Sequence, residues 1–121
     1  MANRILVVED SDDVRGSYVQ WLQGAGYQVT EAADGQQAVE EARRARPDVV
    51  LLDINLPDQD GYSLAESFRR DPRMAKVPVI VLSGRTGFEH ERRARSAGAL
   101  IALSKPCAPD MILAAVAGAL A

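Results

Sequence analysis

The chain has 121 residues, 47% of them hydrophobic, which is enough for one buried core and too few for two domains of ordinary length. Acidic residues outnumber basic ones by 17 to 14, so no overall positive field draws the protein onto nucleic acid or anionic lipid, and neither is expected as a direct partner. The single cysteine, Cys107, excludes an internal disulfide and fits a reducing compartment, and Met1 to Arg4 lead into an apolar run too short for a signal-peptide core or a membrane span, so a cytoplasmic protein is expected.

In chain order, a continuous apolar run at 5–8 reads as a strand buried on both faces. A helical stripe of Val14, Tyr18, Trp21, Leu22 and Ala25 follows. Residues 28–32 alternate in polarity around Val29, as a strand nearer a sheet edge does. Ala38, Val39, Ala42 and Ala45 form a second stripe before the apolar run at 49–52, and Leu64, Ala65 and Phe68 form a third before the run at 79–82. A last run at 100–103 precedes a helix over Pro109–Leu120. Asp12 or Asp34 is placed to cap a helix start, and Gly26 and Gly98 stand where helices should stop. Five β-α repeats with short connections predict an α/β fold, a doubly wound three-layer sandwich around a five-stranded parallel sheet, with no repeat or linker. Asp110 is the only charged residue after Lys105, so the last helix lacks an obvious solvent face. Its outer side is either an exposed alanine-rich surface or a contact for a second subunit or adjoining domain.

In an open parallel sheet, ligands bind at the carboxyl ends of the strands. The apolar runs here end in Glu9-Asp10, in Asp53, in Ser83-Gly84 and in Ser104-Lys105-Pro106. Any one of these residues is as easily a turn former or a surface charge. Together, three acids at adjacent strand ends repel and raise one another's pKa, a cost that structure alone would not ask for. A hard divalent cation removes it, and magnesium takes a few carboxylate oxygens while leaving room for a phosphate oxygen. A lysine and a hydroxyl facing that ion complete a phosphoryl-transfer site in which Asp53 is the natural nucleophile.

The opening Val-Val-Glu9-Asp10-Ser-Asp-Asp, the Leu-Leu-Asp53-Ile-Asn-Leu-Pro57-Asp-Gln-Asp60-Gly61 segment, Ser83-Gly84 and Lys105-Pro106 together resemble the response-regulator receiver family over nearly the whole chain, 1–121. The resemblance implies a flavodoxin-like strand order 2-1-3-4-5. It also implies a cytoplasmic signalling domain rather than an enzyme, with Asp53 taking a phosphoryl group from the phosphohistidine of a histidine kinase or phosphotransfer protein and a downstream protein partner reading the result. Asp10, Asp53 and the backbone carbonyl of Asn55 would hold magnesium, or manganese in its place, with Glu9 reaching it through water. Lys105 would pair with one phosphoryl oxygen and Ser83 with another, Gly84 would leave space for the group, and the Lys105-Pro106 peptide would be cis. Asn55 and Arg85 occupy positions that tune the lifetime of the phosphoryl group.

The chain departs from the family at Ala102, where an aromatic residue commonly turns inward as the hydroxyl residue moves. With that half of the switch missing, the signal is left to Ser83, the loop after it and the last helix, or to a partner that binds near Asp53. His90, in the charged run 89–93, reads as a surface residue, and the arginines at 43–44 and 92–93 read as salt-bridged helix faces beside glutamates. Three other functions fit these residues less well. An aspartyl-phosphate phosphohydrolase would carry a second acid two positions after the nucleophile, where Asn55 stands. A flavodoxin-like cofactor carrier needs a phosphate-cradling first loop, which the acids at 9–13 would repel. A pure interaction module would not need the whole acid, hydroxyl and lysine set.

Overall fold

The apolar runs form a sheet and the striped segments cover it. In the computed structural model, which describes residues 3–84 and 88–121 (Phe88 by its backbone alone), the elements alternate strictly. They are β1 (Arg4–Val8), α1 (Asp12–Gly24), β2 (Gln28–Ala32), α2 (Gly35–Arg44), β3 (Val49–Asp53), α3 (Gly61–Arg70), β4 (Val79–Ser83), α4 (Phe88–Ser96), β5 (Ile101–Ser104) and α5 (Pro109–Leu120). All pairings are parallel, as the apolar runs predict, and the order is β2-β1-β3-β4-β5, as the family resemblance implies. One core layer joins the sheet to α2, α3 and α4 through Ala38, Leu64, Phe68 and Ala94; the other joins it to α1 and α5 through Tyr18, Leu22, Ile112 and Val116.

β3 and β4 are buried along their whole length, as continuous apolar runs demand. The fifth run does not behave this way. β5 begins one residue later than expected and is the sheet's edge, so it has one neighbour and leaves Leu100 and Ile101 58% and 40% exposed. The outer side of α5 carries exposed Met111 and small residues, and among the described residues no helix is long and apolar enough to cross a membrane.

The helix ends explain how the chain is steered into the site. Ser11, not Asp12, caps α1: its extended backbone lets the hydroxyl accept from the Val14 amide at 3.3 Å, while Asp12 enters the first turn, where the helix dipole favours an acid. Asp34 caps α2 as expected, at 2.8 Å from the Gln37 amide, and Asp60 caps α3. Gly26 and Gly98 take positive φ values of 95° and 93° just beyond α1 and α4.

Candidate functional site

The carboxyl edge of the sheet gathers the residues that the sequence singles out. Glu9 follows β1, Asp53 ends β3, Ser83 ends β4 and Lys105 follows β5. Glu9, Asp53 and Ser83 are buried, whereas Asp10 and Gly84 are exposed. The Lys105 ammonium donates to Glu9 Oε1 at 2.7 Å and to Asp53 Oδ2 at 2.8 Å. Its backbone amide is held by the Ser83 carbonyl at 2.7 Å, and its peptide bond to Pro106 is cis. Oxygens of Glu9, Asp10 and Asp53 lie within 4.8 Å of one another.

Local folding fixes both acid-bearing loops. The Ser11 amide donates to Glu9 Oε2 at 3.2 Å, and the Asn55 amide donates to Asp53 Oδ1 at 3.1 Å. The loop after Asp53 turns back on itself: Asn55 bridges to Asp60, and the Gly61 amide donates to the Ile54 carbonyl at 2.8 Å. A Cβ at Gly61 would stand 2.4 Å from Ile54 Cα and 2.8 Å from the Asp53 carbonyl oxygen, so only glycine lets α3 start against the strand end. Asp58 reaches across to donors at the start of α2, accepting from the Gly35 and Gln36 amides at 2.8 and 3.0 Å. The Gly35 bond in particular holds its carboxyl below the ordinary range.

The charges are unequal. Burial pushes the Glu9 carboxyl up to about 7 against the opposing pull of Lys105 and the Ser11 amide, and the nearby Asp53 adds to the rise. Burial also works against the Lys105 ammonium, but its bonds to Asp53 and Glu9 outweigh that cost and raise its pKa above the ordinary lysine value. Three carboxylates face one ammonium, and the excess of negative oxygen donors suits a hard divalent cation on the side where Asp10 meets solvent.

Two sequence expectations fall elsewhere. Arg85 lies outside the described residues. Ala102 is half-buried and packs against the core layer of α2, α3 and α4.

His90 is not a surface residue. It is 6% exposed, its Nδ1 is hydrogen-bonded to the Tyr62 hydroxyl, and its Nε2 is buried without a hydrogen-bond partner among the described residues. Arg92 pairs with Glu89 at 3.3 Å as expected, but Arg93 crosses to α3, pairing with Asp60 at 2.9 Å and lying 4.7 Å from the Tyr62 ring centre. The charged run hides this, yet a signal existed: His90, Ala94 and Ala97 recur at helical spacing, and all three are buried, the first two on α4 and the third just beyond its end. Tyr62, His90 and Arg93 line a cavity of about 810 Å³ that extends to Asp10, Asn55 and Asp60. Asp10 of the acid cluster and the α3–α4 contact thus border one cavity.

Known proteins are similar to this chain in sequence and in fold. The family profile described as "Response regulator receiver domain" matches residues 5–117. The chain is 39% identical to the transcriptional regulatory protein YxdJ of Bacillus subtilis over 114 residues, which cover 94% of this chain and 48% of that protein. It is 40% identical to the transcriptional regulatory protein PrrA of Mycobacterium tuberculosis over 103 residues, 85% of this chain and 43% of that protein. The chain therefore spans about half the length of these curated relatives. Among solved structures, the chemotaxis response regulator CheY4 of Vibrio cholerae superposes with a TM-score of 0.94 at 32% identity, covering 99% of this chain and 100% of that one. A fold with strand order β2-β1-β3-β4-β5, an acid cluster at its carboxyl edge and a profile match over almost the full length lead to one conclusion: this chain belongs to the response regulator receiver domain family.

Proposed function

We propose that the chain, as one receiver domain over residues 1–121, accepts a phosphoryl group on Asp53 from the phosphohistidine of a histidine kinase or phosphotransfer protein. The observation that carries this reading is the Lys105 ammonium, bonded at once to Asp53 and Glu9 beside exposed Asp10. A carboxylate oxygen of Asp53 attacks the phosphorus. The P–N bond of the donor breaks as the P–O bond forms, and the leaving imidazole keeps the bonding pair. The Asn55 amide holds the carboxylate in place, and Lys105 is within reach of the phosphoryl oxygens that develop there.

The acid cluster fits magnesium, or manganese, with Asp10, Asp53 and the Asn55 carbonyl as ligands and Glu9 acting through water; the bound ion would neutralise the incoming phosphate. Ser83 and Gly84, beside Lys105 at the end of β4, receive the remaining phosphoryl oxygens, and Asn55 and Arg85 set how long the group lasts. With Ala102 in the switch position, Ser83 and the α3–α4 contact carry the signal, since Asp60 ties the phosphorylated loop to Arg93. A protein partner in the cytoplasm then reads the new state, and the exposed Leu100 just before β5, Ile101 on β5 and Met111 on α5 offer it, or a second copy, an apolar contact.

The test is intact-mass measurement after incubation with acetyl phosphate, with and without magnesium. One phosphoryl group should appear with magnesium and be absent from Asp53→Asn. Equal labelling of Asp53→Asn would overturn the assignment.

A further inference from the structure

Charge is strongly segregated in this acidic chain. Residues 42–46 and 67–76 hold seven of its fourteen lysines and arginines and a single acid, Asp71; the rest of the chain sets seven cations against sixteen acids. The basic segments close α2 and α3, at the end of those helices opposite the Asp53 site. A helix dipole accounts for Arg43, Arg44, Arg69 and Arg70 in the last turns, but Arg46, Arg73 and Lys76 lie beyond them.

Few of these charges are neutralised. Arg44 pairs with Glu41 at 2.8 Å and Arg70 loosely with Glu66 at 3.8 Å, whereas Arg43, Arg46, Arg73 and Lys76 have no carboxylate partner among the described residues. Instead, Arg46 donates to the Arg73 carbonyl at 2.6 Å and Arg73 to the Arg43 carbonyl at 3.3 Å. Backbone carbonyls fix the guanidinium groups without cancelling their charge, and each keeps further N–H donors. Asp71 keeps its negative charge, but its carboxylate accepts from the Arg73 amide at 2.9 Å and pairs with no guanidinium group among the described residues, so the cations of these segments still outnumber it. Between the two helix ends lies a groove of about 640 Å³, with Val39, Ala42 and Phe68 below and Arg43, Arg70 and Arg73 around it.

We propose that this groove binds an acidic segment of a partner protein, with carboxylates on the arginine rim and an apolar side chain on the floor. Planar guanidinium groups match carboxylates two bonds at a time. An extended nucleic acid or a membrane fits less well. The only aromatic ring in the groove, Phe68, is 3% exposed and unavailable for stacking on bases, and the surface beyond the groove is acidic and would repel a long polyanion.

Fluorescence anisotropy of a labelled peptide of glutamates carrying two leucines, titrated with the full chain, tests the proposal. Saturable binding should weaken at least roughly tenfold in Arg43→Glu/Arg73→Glu and clearly in the milder Arg43→Gln/Arg73→Gln, with unfolding curves confirming that both variants fold. Binding should also fall when the leucines become serines, and as salt is raised. Asp53→Asn should bind as well as the parent, so the groove and the phosphorylation site stand or fall separately. Absent binding, equal binding by the charge-reversed variant, or tighter binding of polyuridine RNA, phosphatidylglycerol vesicles or a second copy of the chain would overturn it.

Discussion

The guanidinium of Arg93 lies 4.7 Å from the centre of the Tyr62 ring while holding Asp60 at 2.9 Å, so one side chain of α4 grips both the cap and the first turn of α3. Cation–π attraction and a half-exposed ion pair are each modest, and Arg93→Ala should cost about 1 kcal/mol in urea unfolding. Tyr62→Phe should cost roughly 1–3 kcal/mol, because it strips the buried His90 Nδ1 of its partner. A Tyr62→Phe variant as stable as the parent would show that this contact is not holding α4.

Lys105 pairs with two buried carboxylates at once. Truncating it to alanine leaves both without a counter-charge. A fully buried pair broken this way costs about 3–5 kcal/mol, and the 26% exposure of the lysine side chain reduces the expected loss to roughly 2–3 kcal/mol. Magnesium should restore part of it by supplying positive charge, so the gap between parent and variant, read by thermal unfolding, should narrow when magnesium is added.

Glu9 gives the metal-free protein a pH signature. Its folded-state pKa of about 7 lies above the ordinary 4.5, so the native state binds its proton more tightly than the unfolded chain does. Its contribution is therefore fully present below about 4.5 and is lost as pH rises through 7. Lys105, with its pKa raised above the lysine range, keeps its charge throughout that interval and adds no slope there. Chelator-treated protein should lose thermal stability between pH 5 and pH 8, and Glu9→Gln should flatten that decline. An unchanged decline in Glu9→Gln would assign it to other groups.

Gly61→Ala should be among the more damaging single-methyl changes. The added carbon meets backbone rather than a flexible side chain, 2.4 Å from Ile54 Cα, so the loop after Asp53 must move. The cost should be roughly 1–3 kcal/mol, as for other overpacked sites, and acetyl phosphate labelling should slow because the Asn55 amide that holds Asp53 moves with the loop. Normal labelling would show that the turn tolerates the shift.

The five strands, their alternation with helices and the acids at their ends were legible because each is a local signal: a short β-branched run, a stripe at helical period, a residue type following a run. The identity of Glu9, Asp10, Asp53 and Lys105 as neighbours followed from the rule that parallel strands present one common edge, and the structure bears it out. Other features were not local. The run at 100–103 has the composition of an interior strand, but being last in the sheet is a property of the order β2-β1-β3-β4-β5.

Burial of His90 depends on Tyr62, 28 residues earlier, and in sequence the polar residues around it look like a solvated face. The basic groove likewise exists only because α2 and α3 end side by side, bringing Arg43, Arg46 and Arg73 together from separate segments. Sequence by itself determined which residues form elements and which chemistry each strand end carries, since both depend on spacing along the chain. Tertiary structure alone decided which charges lose water and which find partners, because desolvation and ion pairing depend on distance through space between residues far apart in sequence.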